Sequence, residues 1–506
     1  MSSPEPPANP KRKSARSRIV VDFEPLTARL QLQSWLERLR RDIKSGGFGL
    51  VVSLLMHAVL MIVLAFIIFQ TRSTGDGDPL IASWLTPGEK AEVAARKRQP
   101  LSIPIEVGSL PTSTPVEKKP TESGDAADAP KPGVKPVEVS QSLDGRNPRT
   151  RDANLEKLGG TPDAERAINQ GLQWLKRQQK SDGHWELHQG YPDAGFSTIK
   201  TDTGATALAL MAFLGRGSTH QTGDHADVVA NGLKWLRAAQ DPATGDLHDL
   251  RQEEGRQPSF YAHAMGTIVL CEALALTSDN ELKQPAENAV RYLLEAQHPQ
   301  HGGWKYRPIS KQMVGDLSVT GWALMALHTA RMAGIEIQQE EFERASQFLD
   351  SVRAKGSARY KYEPTSPDSK ATTALTAEAL LCRQWLGWPK SFDQMTAGVR
   401  YVTADENLPS WTPGRRNVYG WYYTSQMLHN LGGDDWKRWN KAVRDLVVKN
   451  QVTGGPTKGP ADIRGSWHPS SGMGEEYADK AGRLYMTALC ILILETPYRH
   501  QPVYEQ

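Results

Sequence analysis

The chain is poor in cysteine and shows no strong excess of either charge. Its 506 residues hold three cysteines, Cys271, Cys382 and Cys490. Each stands in an apolar stretch, so a disulfide framework is excluded and the pattern reads as buried, inert thiols. The formal net charge is +3, too near neutral to drive binding to nucleic acid. No aspartate stands two positions before a cysteine; Val269, Leu380 and Ala488 do. An Asp-x-Cys zinc pair is therefore missing, and no other metal or cofactor motif is read.

One stretch lacks formal charge altogether. Phe48 to Phe69, at about 1.5 Å per residue, reaches about 33 Å as a helix, enough for the ~30 Å core of a bilayer. It is too long for a signal-peptide core, and no small-residue cleavage site follows closely. Lys11, Arg16, Arg38, Arg41 and Lys44 precede it, and far fewer cations follow. The charge asymmetry gives a single-pass anchor with a cytoplasmic N-terminus and an extracytoplasmic C-terminal domain, periplasmic in a bacterium. Ser53 and His57 share one face of this span. A histidine at that depth is costly and marks a possible contact for a membrane partner; the plainer reading is a tolerated neutral imidazole. The Ser-x-x-x-His spacing is similar to that of TonB-type energy transducers. The resulting organisation is a basic tail at 1–46, a transmembrane signal anchor at 47–70, a Pro-rich disordered linker at 71–158 and a folded domain at 159–506.

The folded part repeats itself. In Ala289–Trp304 the residues Ala289, Tyr292, Leu293 and Ala296 fall on one helical face. Gln297 closes the helix, Gly302 and Gly303 let the chain turn, and Trp304 folds back as an apolar plug. Trp174…Gln179…Gly183…Trp185 repeats the design. So do Trp235…Gln240…Gly245…Leu247 and Leu446…Gln451…Gly465…Trp467. Two copies without the glutamine end at Tyr360 and Trp411. Between successive copies lies a second helix, expected at 203–214, 259–276, 317–332, 371–386, 418–431 and 477–494. Six helix pairs spaced by roughly 45–60 residues suit a closed ring with generous loops.

The aromatic-Leu pair followed by Gln and Gly-x-Trp resembles the repeat of squalene and oxidosqualene cyclases, whose fold is shared by protein prenyltransferase β subunits. The resemblance implies an all-α fold, a single (α/α)6 toroid, for the folded domain. It also implies a catalytic acid at the middle aspartate of Asp-x-Asp-Asp-Thr-Ala. The matching stretch here is Asp316-Leu317-Ser318-Val319-Thr320-Gly321. Asp316 is kept, but the acid position falls on Ser318, whose hydroxyl cannot protonate an alkene. Ordinary cyclisation is disfavoured, as is zinc-dependent prenyl transfer.

A toroid has an axial cavity, and its mouth is where the resemblance places chemistry. Candidate catalytic carboxylates there are Asp202, Asp316 and Glu475. Candidate ligand-binding residues are Tyr261, Trp322, Tyr419, Trp421 and Tyr422. Asp202 and Asp316 are equally suited to helix capping, and Glu475 to a solvated loop. Two functions remain open. One is a membrane-anchored module that binds an apolar, isoprenoid-like or peptide ligand in the cavity. The other is a divergent cyclase-like or carbohydrate-active enzyme that uses carboxylates at the mouth.

Overall fold

Apolar residues surround one set of helices on every side, while the other set has a single apolar stripe. That difference sorts them into two rings. The computed structural model describes residues 131–139, 142–187, 198–248, 258–306, 314–366, 369–454, 462–469 and 477–504. The apolar stretch with Ser53 and His57, and Glu475, lie outside the described residues.

Six inner helices are α3 (Asp202–Gly215), α5 (Pro258–Thr277), α7 (Leu317–Met332), α9 (Thr373–Trp385), α11 (Val418–Leu431) and α13 (Ala478–Arg499). Six outer helices are α2 (Pro162–Gln178), α4 (Ala226–Ala239), α6 (Asn280–Glu295), α8 (Gln339–Ser351), α10 (Asp393–Val402) and α12 (Gly433–Lys449). A short α1 (Pro148–Asn154) precedes them. Each inner helix packs on the next, and α13 packs back on α3. Each outer helix lies mainly on the inner helix before it in the chain, so α2 lies on α13 and the circle closes. The fold is an α/α toroid of six helix pairs.

The repeat works as a set of rivets. Gln297 Nε2 donates to the carbonyl of Gly302 in its own turn and to that of Glu341 on the next outer helix, both at 2.9 Å. Gln179 and Gln240 do the same toward Val228 and Pro285. Gln451 reaches across the seam to Ala167, at 2.8 Å. The indole N–H groups of Trp185, Trp304 and Trp467 donate to Leu175, Leu293 and Val447 of the preceding outer helix. All three rings are fully buried. Gly302 turns with φ 72°, and a Cβ there would come within 1.8 Å of the Arg344 carbonyl on the next outer helix. Only glycine allows that approach.

The two copies without glutamine differ from one another. Tyr360 is buried as a plug. Trp411 is only half-buried; it packs against Trp421 with ring centroids 5.9 Å apart and under the Arg416 guanidinium. The helix expected from 371 starts two residues later. Ala371–Thr372 pair instead with Tyr360–Lys361 in an antiparallel ribbon, β2 on β1. Ser259–Thr277 within α5 is long and apolar enough to cross a membrane. In this fold it is a ring helix with 78% of its apolar window buried.

The C-terminal part of the expected linker belongs to the toroid. Lys135 and Val137 donate backbone hydrogen bonds to Leu386 and Trp385, at the end of α9. A 3-10 turn, Asp144–Arg146, then inserts the Arg146 side chain into the base of the ring. There it pairs with Glu272 through both terminal nitrogens, at 2.9 and 2.7 Å. A polar composition does not stay disordered when the folded domain offers its backbone donors and its charge buried partners.

Candidate functional site

The N-terminal ends of all six inner helices gather at one end of the ring, around a cavity of about 640 Å3. Side chains fix those ends. Thr201, Asp316, Thr372 and Asn417 accept a hydrogen bond from a first-turn N–H of α3, α7, α9 and α11 respectively. Capping satisfies donors that would otherwise be orphaned and sets where each helix begins.

The lower wall is apolar and aromatic: Leu208 from α3, Met265 from α5, Trp322 from α7, Leu375 from α9 and Tyr485 from α13. Hydroxyls ring the upper wall, from Tyr261, Tyr306, Ser318, Tyr362 and Tyr419. Tyr306 and Tyr362 are hydrogen-bonded to each other. Tyr477, 48% exposed with φ 53°, stands at the rim at the start of α13.

Behind the hydroxyls lies a charged layer. Asp316 is fully buried. Its Oδ1 accepts from Val319 N–H (2.9 Å) and from the Ser318 hydroxyl (3.0 Å). Its Oδ2 is 3.2 Å from Lys305 Nζ, which lies 3.1 Å from Glu363 Oε2. The ammonium sits over the rings of Tyr306 and Tyr362, 5.1 and 4.8 Å from their centres. Burial raises the Asp316 carboxyl above the ordinary aspartate range, and Lys305 with the local hydrogen bonds only partly reverses this. Burial alone would lower Lys305, but Asp316 and Glu363 hold the ammonium above its usual value. Burial first and nearby carboxylates second raise Tyr261, Tyr306 and Tyr419, which are therefore neutral hydroxyls at neutral pH.

Across the ring, the Tyr419 hydroxyl donates to Glu378 Oε2 at 3.0 Å. Glu378 is fully buried on α9. A Cβ at Gly321 would meet Glu378 Oε1 at 2.0 Å, so the two positions are matched.

No protein-family model matches the sequence, and no curated protein matches it. Solved structures do resemble the fold. A GH76A α-1,6-mannanase of Salegentibacter is 13% identical, covering 66% of this chain and 98% of its own, with a TM-score of 0.44. A cellobiose 2-epimerase of Spirochaeta thermophila is 14% identical, covering 69% and 98%, with a TM-score of 0.46. A type II terpene cyclase from Scytonema, solved with geranylgeranyl dihydroxybenzoate, is 13% identical, covering 66% and 98%, with a TM-score of 0.42. What these share with the chain is the α/α toroid.

The residues singled out in the sequence fall into three groups. Tyr261, Trp322 and Tyr419 line the cavity. Trp421 and Tyr422 do not: both are buried in the ring wall, Trp421 against Trp411 and Tyr422 stacked on Trp322 at 5.9 Å. Successive residues of a helix point in different directions, so one stretch could not place all of them at the axis. Asp202 is the first residue of α3 rather than its cap, a role taken by Thr201. Its carboxylate is buried behind the wall, 3.5 Å from His184 Nε2, and His184 stacks on Trp235 of outer helix α4. Asp316 is a cap, as its position suggested, and reaches the cavity only through Ser318. Among the described residues, no group of three or more His, Cys, Asp or Glu is placed to hold a metal ion.

Lys305, Tyr306, Tyr362, Glu363 and Glu378 were not anticipated. Tyr306 and Tyr362 stand two residues past the plugs Trp304 and Tyr360, and Leu187 stands two past Trp185; all three line the cavity. In extended chain, residues two apart share a side, so the position two after a plug is the signal. Glu378 had another signal, a lone charge within the apolar run Ala377–Leu381.

Proposed function

We propose that the toroid is a binding module that holds an apolar-bodied, isoprenoid-sized ligand in its cavity, on the extracytoplasmic side of a membrane to which residues 47–70 anchor it. One observation carries the reading. Among the described lining residues the sole carboxylate is Glu363, already paired with Lys305, while aromatic and aliphatic side chains form the lower wall. Hydrolysis of a glycosidic bond by the usual pair needs two carboxylates facing across the substrate. Asp202 and Asp316 are buried, and neither is among the residues that line the cavity. A cavity of this volume is within the range of small-molecule sites, about 300–1,000 Å3.

The test is chemical. Full-length protein purified from its own membranes is extracted with organic solvent, and the extract is analysed by mass spectrometry against a mock purification. An apolar compound enriched with the protein is the expected result; an extract matching the mock contradicts the reading.

A second reading draws on the chain of hydroxyls. Tyr261, Ser318 and Asp316 are linked by hydrogen bonds of 2.5 and 3.0 Å from cavity to carboxyl, a path along which a proton could reach a ligand. Asp316→Asn keeps a capping oxygen for Val319 N–H and removes the acid, with the added cost of losing the buried pair to Lys305. Unchanged turnover of any substrate by that variant rules out Asp316 as the proton donor.

A further inference from the structure

The upper wall of the cavity is asymmetric in its hydrogen bonding. A hydroxyl carries a single proton. Tyr419 gives its proton to Glu378, at 3.0 Å, and Ser318 gives its proton to Asp316, at 3.0 Å. With the Ser318 proton committed, Tyr261 is the donor in the 2.5 Å contact between their oxygens. Three hydroxyls on two sides of the cavity therefore have their protons turned away from it or toward each other. What they present to an occupant is lone pairs.

The layer behind reinforces this. Asp316 and Glu378 stand directly behind the hydroxyls, and Glu363 is at the wall itself. Lys305 is the one cation in that layer among the described contacts. It is engaged by Asp316 and Glu363 and lies over two tyrosine rings. Its charge is thus answered twice within the protein. The aromatic faces around it add negative potential of their own, since a ring face attracts cations and hydrogen-bond donors. Recognition of phosphate calls for clustered, charge-assisted donors, usually arginine. No arginine lines the described cavity. The two other lysines that border it, Lys370 and Lys480, are exposed at the rim on different elements.

From this arrangement we infer that the ligand's polar end is a hydrogen-bond donor, an alcohol or an amine, which docks on Tyr261, Ser318 and Tyr419, and that phosphate and carboxylate ends are rejected there. The inference rests on the cavity being a ligand site. It adds the chemistry of the polar end, and the experiment separates the two.

Geraniol, geranylamine and geranyl phosphate share one short tail and differ only in the end group. Each is titrated by calorimetry into full-length protein held in amphipol, with the hydrocarbon myrcene as the tail-only control. The alcohol and the amine bind at least ~10-fold more tightly than the phosphate, a gap of about 1.4 kcal/mol. Tyr419→Phe removes an acceptor without changing the ring, and it narrows the gap; Ser318→Ala combined with it narrows the gap further. Tightest binding by the phosphate overturns the inference. If that binding is also lost in Lys370→Gln with Lys480→Gln, the polar end sits at the rim instead. Myrcene binding as tightly as the alcohol overturns the inference while leaving the ligand-site reading intact. No binding by any of the four overturns both.

Discussion

A few side chains decide the geometry of this ring, and their type was readable because each does one physical job. Gln297 bridges two buried carbonyls that belong to adjacent repeats, and its own Oε1 accepts from Arg344 Nε at 3.1 Å. Gln297→Ala takes the bridging donor from both carbonyls; Glu341 keeps its own helical partner, so the expected loss is about 1–3 kcal/mol and falls mainly on Gly302. Trp304→Ala removes a fully buried plug and is expected to lower stability by about 3–5 kcal/mol in urea unfolding. A near-neutral result for Trp304→Ala contradicts the plug. Lys305 and Tyr306 follow that plug directly; Tyr306 carries the two-after-a-plug signal, but no sequence pattern marks Lys305. Lys305 has meaning only through Asp316, Glu363 and Tyr362, which lie 11, 58 and 57 positions away by residue number and meet it only in the fold. Residue types that pack are legible from periodicity; partnerships between distant polar groups are not.

Elements were legible to the extent that their hydrophobic pattern had a period. The inner helices could be placed closely because they are apolar throughout, and four of them start at a side-chain cap. The strap formed by the described residues 131–139 and 142–146 has no such period. Its lysines and prolines read as solvated chain, and what holds it is the backbone edge of α9 and the counter-charges at the ring's base. A local sign did exist: Asn147 caps α1 and Pro148 stands at its first position, a common start for a helix. The Arg146 side chain is the strap's anchor. Its Nε donates to the Arg499 carbonyl at 2.7 Å, and Arg499 in turn pairs with Glu272 at 3.0 Å. Arg146→Ala is expected to cost about 3–5 kcal/mol, because Glu272 stays buried with half its partners gone. Adding Glu272→Leu to Arg146→Met is not expected to recover that loss, because buried Arg499 then loses Glu272 as its partner. If the single change is silent in denaturant unfolding, the strap is not part of the folded unit.

For the whole molecule, closure is the property that no single repeat contains. It depends on Gln451 meeting Ala167 and on α13 meeting α3, contacts between the two ends of the folded part. The base of the ring also sets how stability responds to pH. Burial pushes Glu495 up to about 8, outweighing the pull of Arg499 and Arg146. A carboxyl raised in the fold stabilises fully below its unfolded pKa, and that contribution is lost as pH climbs toward the folded value. Burial pushes His328 down to about 3 and His429 down to about 4. Their contribution is complete above the ordinary histidine range and disappears as pH falls through those values. Together the groups give a maximum in mildly acidic solution and a decline from about pH 6 to about pH 8. Unfolding free energies measured across that window show the decline in the wild type, and Glu495→Gln flattens it. A wild-type profile that rises toward pH 8 contradicts the assignment.

The most direct test of the central claim, that the axial cavity holds the ligand, is to fill it. Leu208 lies on the lower wall, and Leu208→Trp puts an indole where the ligand's apolar body would rest. Native mass spectrometry of the full-length protein under mild conditions counts what stays bound. One apolar ligand per chain in the wild type and none in Leu208→Trp is the predicted result. Equal occupancy in both proteins, or an empty wild type, contradicts it.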